Sequence, residues 1–175
     1  MTSKGSAGGR RRNETVIRQM DIDDISAVYH LGEQLFTSEE LPILYRTWCP
    51  SEVTEHFSYE PDYCFVAEKG GQIIGFILGT TMEKEGTAWR LYGYVSWIGV
   101  DEDHQRTGLG MRLYRKLEEK LQKDGVRMVI ADTQGNNRDA IAFLNGLGFS
   151  VRSQHLWLAK TLRKSVSKLD GKRER

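Results

Sequence analysis

The stretch "IGVDEDHQRTGLGMRLY", residues 98–114, leads from a β-rich run through a short loop with two glycines into a helical apolar pattern. Glycines at such a junction let the backbone turn tightly and gather several N–H groups at one point. The helix that follows adds its unpaired N–H groups and partial positive charge. The loop therefore reads as an anion site suited to phosphates, with Arg106 and Arg112 available as countercharge. Two familiar phosphate loops are excluded. A Walker loop needs GxxxxGK[ST], and no lysine follows Gly110. A dinucleotide fingerprint needs GxGxxG soon after a first strand. Gly108-Leu109-Gly110 lacks the third glycine, and several strand-like runs come first.

On the N-terminal side, "TVIRQM" (15–20) has the alternation of a first strand. "DIDDISAVYHLGEQLF" (21–36) follows with helical spacing of Ile22, Ile25, Val28, Tyr29, Leu31 and Leu35, and Asp21 fits an N-cap. Pro42 and Pro50 interrupt the next stretch, and "PSEVTEHFSYE" (50–60) reads as a short helix. "YCFVAEKGGQIIGFILGTTM" (63–82) is two strands around a Lys69-Gly70-Gly71 turn. "AWRLYGYVSWIGV" (88–100) is a fourth strand rich in aromatic and β-branched residues. On the C-terminal side, Leu113, Tyr114, Leu117 and Leu121 continue at helical spacing to an Asp124-Gly125 stop. "VRMVIAD" (126–132) is a buried strand, "NNRDAIAFLNGLGF" (136–149) a capped helix, and "HLWLAKTL" (155–162) a closing strand. The order β-α-α-β-β-β-α-β-α-β is that of an α/β domain with a central mixed sheet.

The 175 residues amount to one domain, with 39% hydrophobic and 28% charged residues and a mean hydropathy of −0.51. No apolar run approaches the roughly 20 residues of a membrane span. The start, "MTSKGSAGGRRRN", has no apolar stretch after its basic residues, so it is not a secretory signal. Residues 1–13 read as a disordered basic tail or expression remnant, 14–163 as the domain and 164–175 as a basic C-terminal tail. Cys49 and Cys64 lack CxxC partners or zinc spacing, which implies reduced thiols in a cytoplasmic protein and no metal site. Net charge is +1, but the two ends hold 10 of the 25 basic residues and 2 of the 24 acidic ones, leaving a body of −7. An acidic body argues against a nucleic-acid-binding core and suits a cationic partner.

The loop Gln105-Arg106-Thr107-Gly108-Leu109-Gly110 resembles the Q/R-x-x-G-x-G/A loop of the GNAT superfamily of N-acetyltransferases. Its surroundings extend the match. "IGVDEDHQ" stands where the family has an IAV-like strand end, and Asn137, Ala140 and Gly148-Phe149 match the family's second motif. The resemblance covers about residues 14–162. It implies a GNAT fold: a central, mixed, mostly antiparallel sheet with splayed fourth and fifth strands, flanked by helices. It also implies acetyl-CoA as co-substrate. The amides of Arg106, Thr107, Gly108, Leu109, Gly110 and Met111, with Gln105 beside them, would hold its pyrophosphate. The backbone of Ile98 and Val100 would pair with its pantetheine arm, and Asn137 would bond that arm from the other side, alone or together with capping the helix.

The implied reaction is direct attack of a neutral amine on the acetyl thioester. It needs a proton acceptor, a donor to the thioester oxygen and an acid for the leaving thiolate. A backbone N–H near Ile98–Val100 is the natural oxygen donor. Many family members place the acid tyrosine four residues before the Gly of "GF"; here that place is Leu144, which has no proton to give. Tyr92, Tyr94 and Tyr114 are the candidate substitutes, and a thiolate is a fair leaving group without help. Ribosomal-protein alanine acetyltransferases carry a Glu where this chain has Asp132. Asp132 is one methylene shorter, so it fits a base acting through water, and equally a strand-end residue that caps the next turn. Tyr94 and Trp97 fit cleft walls or core packing, His155 a sheet histidine, and His104 a neighbour of the phosphates or solvent. The acceptor is a primary amine, with a protein or peptide amine favoured over a polyamine or aminoglycoside. Leu144 keeps a catalytically weak acyl-CoA-binding module as a further alternative. Glu39 and Glu40, between the first two helices, could attract a cation. The sequence leaves a homodimer open.

Overall fold

The computed structural model describes residues 14–36, 47–156, 158, 160 and 161. β1 (Val16–Gln19) leads through a 3-10 turn at Ile22–Asp24 into α1 (Ile25–Phe36). The Asp21 carboxylate caps that turn, and Asp24 answers it in a reciprocal capping box. After α2 (Pro50–Tyr59) come β2 (Cys64–Lys69), β3 (Gln72–Glu83) and β4 (Leu91–Val100). Gly70 and Gly71, with φ of 61° and 85°, make the tight β2–β3 turn. α3 (Leu109–Lys123), β5 (Met128–Ala131) and α4 (Arg138–Gly146) complete the elements.

The sheet runs in the order β1-β2-β3-β4-β5. Each pair is antiparallel except β4 with β5, which α3 connects in parallel. This is the expected mixed, mostly antiparallel sheet. No closing strand is present among the described residues within 155–162, which have no regular structure. Leu156 and Leu158 are 87% and 90% exposed, so neither finds a sheet face to bury it. The expected tails, at 1–13 and 164–175, and Glu39 and Glu40 lie outside the described residues.

Two cores sit on opposite faces of the sheet. On one face Leu109, Leu113, Tyr114, Leu117 and Leu121 form a single stripe along α3 and pack on Ala67, Ile77 and Val95. On the other, Val28 and Leu31 of α1 and Val53 of α2 meet Val66, Phe76, Leu78 and Trp97. Trp48 anchors this second core. Its ring packs among Phe36, Phe76 and Trp97, and its indole N–H donates to the Tyr29 carbonyl at 2.9 Å. The ring fits because residue 32 is glycine; a Cβ there would lie 2.2 Å from Trp48 Cζ2. Cys64 is fully buried, and burial together with the nearby Glu60 pushes its thiol up to about 12, so it stays protonated. Asp24 accepts two bonds from the Arg18 guanidinium, at 2.6 and 2.8 Å, which holds its carboxyl below the usual range.

Gly32→Ala tests the second core. Alanine favours a helix by about 1 kcal/mol over glycine. Overpacking costs about 1–3 kcal/mol, and here the ring is walled in by three other aromatics. The variant is expected to be less stable than the wild type in urea titration; a gain in stability would show that Trp48 does not occupy this place.

Candidate active site

The loop after β4 is built as a concave turn. A 3-10 turn at Glu102–His104 is capped by Asp101, whose carboxylate accepts from the Asp103 N–H at 3.1 Å. Asp101 also meets His104 Nδ1 at 3.0 Å, and Lys69 Nζ lies 3.5 Å from His104 Nε2. Thr107 Oγ1 donates to the His104 carbonyl at 2.7 Å, and Gln105 Nε2 donates to the Val100 carbonyl at 3.1 Å. These bonds close the loop on itself and leave its outer side exposed from Gln105 to Gly108. Arg106 and Gly108 both have positive φ, 59° and 80°. Gly108 is the N-cap of α3 and has no side chain to bond its first turn. The N–H groups of Leu109, Gly110 and Met111 therefore point out of the helix start without an acceptor of their own helix. A Cβ at Gly108 would meet nothing within 4 Å, so the space beside this residue at the helix start is open. At Gly110 a Cβ would lie 3.1 Å from the Phe143 ring, so this second glycine seats α4 against α3. The residues present thus fit an anion of phosphate type. Arg112 does not face it: its Nη2 donates to the Thr15 carbonyl at 3.1 Å, across to the start of β1.

A second feature lies on β4. Its pairing with β5 covers only Tyr92↔Met128 to Val95↔Ala131. On the other side, Val95 is opposite Gly79 and Trp97 opposite Leu78, so Ser96 is an extra residue without a partner on β3. The bulge sits where β5 ends its pairing, and the remaining residues 96–100 of β4 have no strand on that side among the described residues. The Asp101 N–H donates to Ile74 of β3 at 3.0 Å. Alternation along an extended strand then turns the main-chain groups of Ile98 and Val100 away from β3, into the gap. Asn137 is the N-cap of α4, the helix whose Phe143 packs at Gly110. Its Oδ1 accepts from the Ala140 N–H at 3.0 Å, which leaves its amide N–H donors.

The bulge also decides which side chains share a face. A Cβ at Gly93 would touch Leu121 of α3, and Val95 belongs to the α3-side core, so Tyr94 leaves β4 on the α1–α2 side. Trp97, three residues on, would point the other way in a regular strand. The extra residue at Ser96 returns it to the α1–α2 face, in the core with Val53 and Phe76. Each of these aromatics holds a carboxylate. Tyr94 Oη donates to Asp132 Oδ1, joining two residues that were candidates separately in the sequence. Trp97 Nε1 donates to Glu52 Oε2 at 2.6 Å. Glu52 was not anticipated. Its only sequence signal is an acid in the first turn after Pro50, and nothing local ties it to an indole 45 residues away.

The other candidates stand elsewhere. Tyr114 is 4% exposed, in the α3-side core, and its hydroxyl donates to Glu118 at 3.2 Å. Burial first, and Glu118 second, raise its pKa above the ordinary tyrosine value, so it serves packing. His155 is exposed and meets only Ser153, at 3.3 Å, among the bonds of the described residues. Leu144 is half-buried on α4, and Tyr92 is half-buried opposite Met128.

Residues 27–149 match the acetyltransferase (GNAT) family. The chain belongs to this family and is an N-acetyltransferase that uses acetyl-CoA. Among its relatives, [Ribosomal protein bS18]-alanine N-acetyltransferase of Escherichia coli (strain K12) is 25% identical over 134 residues, covering 77% of this chain and 80% of that protein. The N-terminal acetyltransferase B complex catalytic subunit NAA20 of Arabidopsis thaliana is 29% identical over 139 residues, covering 78% and 74%. A solved structure of AAC(6')-Iy in complex with the bisubstrate analog CoA-S-monomethyl-acetylneamine superposes with a TM-score of 0.68 at 18% identity, over 86% of this chain and 100% of that one. The last likeness is one of fold.

The loop geometry gives a direct test. Gly108→Val places a β-branched residue at φ 80°, where L-residues are strained by roughly 1–2 kcal/mol, and fills the open space. Calorimetry is expected to show acetyl-CoA binding weakened by about tenfold or more, since about 1.4 kcal/mol is a tenfold change in affinity. Unchanged affinity would contradict the assignment of the loop.

Proposed function

We propose that this acetyltransferase modifies a protein or peptide amine, with Asp132 as proton acceptor and Tyr94 as proton donor. The observation that carries the reading is the Tyr94–Asp132 hydrogen bond at the point where β4 and β5 part. Its position beside the gap suits a group that serves an amine arriving from the α1–α2 face. The choice of acceptor is supported by the two sequence relatives named above, both of which carry protein acetylation in their names. The acidic body supports a cationic acceptor. The compartment reading, cytoplasmic, is supported by Cys49 and Cys64 as free thiols.

The loop amides of residues 106–111, with Gln105 closing the turn behind them, hold the pyrophosphate of acetyl-CoA. Ile98 offers its backbone N–H and C=O and Val100 its N–H to the pantetheine arm, and Asn137 offers its amide N–H. When bound, the co-substrate supplies an acetyl thioester beside Ser96. Asp132 takes one proton from the acceptor ammonium through a water, since its side chain is short, and the neutral amine then attacks. A main-chain N–H released by the bulge stabilises the charge on the thioester oxygen. Tyr94 gives its hydroxyl proton to the departing thiolate and recovers one from the Asp132 carboxyl. The second proton of the amine leaves to solvent, so the products are the amide, CoA thiol and one proton. This assigns to Tyr94 the duty that Leu144 cannot perform.

Thiol release from acetyl-CoA can be followed with four probes: an unblocked Ala-initiated peptide, an N-blocked lysine peptide, spermidine and an aminoglycoside. A peptide is expected to be the best acceptor; preference for spermidine or the aminoglycoside would overturn the acceptor class. With the best acceptor, Asp132→Asn is expected to lower kcat about 100-fold, the low end for general base catalysis. Acetyl-CoA affinity should stay within about twofold, because that term comes from the loop. An unchanged rate would remove Asp132 from the chemistry.

A further inference from the structure

The α1–α2 face of the gap carries a second carboxylate for which the proton transfers above have no use. Glu52 stands in the first turn of α2, and its Oε2 accepts from the Trp97 indole at 2.6 Å. Trp97 is only 6% exposed, so its ring is a fixed post. It is packed against Phe36 and Trp48 at centroid distances of 4.9 and 5.1 Å. Glu52 itself is half-buried. The post follows directly after the bulge residue Ser96, which opens the gap. The tether is therefore rigid, and its post stands just past the end of the β4–β5 pairing.

The kind of tether matters. An indole N–H is a neutral donor, so it fixes a carboxylate without cancelling its charge. Four other acids of the chain are held by cations instead. Asp24 and Glu68 meet Arg18, and Asp62 and Asp124 meet Lys120. Among the described residues no lysine, arginine or histidine forms an ion pair with Glu52. A half-buried carboxylate that is oriented yet not neutralised is a receptor for a cation. Oε2 is spent on Trp97, and Oε1 is left to receive it. The cation that must reach this face is the acceptor's ammonium group.

We propose that Glu52, held by Trp97, is the residue that binds the acceptor through a cationic amine before the proton is removed, and so sets the enzyme's preference for cationic acceptors. The division of labour is between two carboxylates flanking the bulge. Glu52 binds the cation, and Asp132, held by Tyr94, takes the proton. The nitrogen becomes positive again as it bonds to the acyl carbon, so Glu52 meets a cation in both states, and binding that is equal in ground and transition states changes KM and leaves kcat alone. The proposal rests on the reading of the acceptor as an amine given above.

The test compares Glu52→Gln with Glu55→Gln, an exposed acid on the same helix, using the best acceptor from the four probes. Hydrogen bonds to charged groups contribute about 1.5–3 kcal/mol, equivalent to about a 10- to 100-fold change. Glu52→Gln is expected to raise acceptor KM by that factor. It should change kcat by less than about threefold and leave acetyl-CoA KM unaltered. Acceptor KM of the wild type and of Glu55→Gln should rise with added salt, while that of Glu52→Gln stays flat. Glu52→Asp, which keeps the charge but retracts it, should fall between. A merely structural bond would not produce the salt signature. Equal acceptor KM for Glu52→Gln and Glu55→Gln would overturn the proposal while leaving acetyl transfer intact. So would a kcat loss without a change in acceptor KM. If the wild type turns over none of the four amines, the acceptor reading falls, and this proposal with it.

Discussion

The end of the β4–β5 pairing at Val95 and Ala131 is the constraint on which the rest depends. Up to that point β4 is a strand bonded on both sides. Beyond it, one row of main-chain groups has no strand to meet. Unpaired backbone groups are costly when buried and useful when exposed to a ligand. The extra residue at Ser96 bends β4 where the pairing stops, so the gap is part of the strand's own geometry. The same residue changes the side-chain parity and brings Tyr94 and Trp97 to one face. The open edge of β4 and the two carboxylate-holding aromatics on the α1–α2 face thus meet at one bulge.

The two layers of helices complete this division. α3 covers one face with an uninterrupted apolar stripe from Leu109 to Leu121. Its N-terminus must then lie at the C-terminal end of β4, which sets the orphan N–H groups next to the gap. Gly110 lets Phe143 of α4 approach within 3.1 Å of where a Cβ would be, and Asn137 caps the start of the same helix. The opposite face is built on aromatics, with Trp48 against Gly32 and Trp97 beside it. That core is rigid enough for Trp97 to orient a carboxylate.

Much of this was legible in the residues, where the signal was local. The loop glycines, the helical stripe of α3, the Lys69-Gly70-Gly71 turn, the Asp21 cap and the Asp124-Gly125 stop all express short-range backbone chemistry. The structure has each of them, with Gly108 and Gly125 at positive φ. What was hidden depended on distant partners. A serine inside a strand gives no sign of a bulge, because the bulge is a relation to β3. Glu52 and Trp97 meet over 45 residues. Tyr114 read equally as a catalytic or a core tyrosine until its burial was known. Arg112 suited a phosphate by proximity in sequence, yet the first turn of α3 directs it to Thr15. The closing strand, absent among the described residues of 155–162, shows the converse: the segment has strand-like composition, but a strand needs a ladder, and composition does not provide one.

The central claim is that the edge of β4 after Ser96 and the start of α3 together receive acetyl-CoA. A crystal structure with CoA bound tests it most directly. The account requires the pyrophosphate on the amides of the 106–111 loop, the pantetheine arm bonded to the main chain of Ile98 and Val100, and the sulfur beside Ser96. A CoA bound elsewhere would contradict it, as would a β4 edge closed by a strand running along residues 96–100.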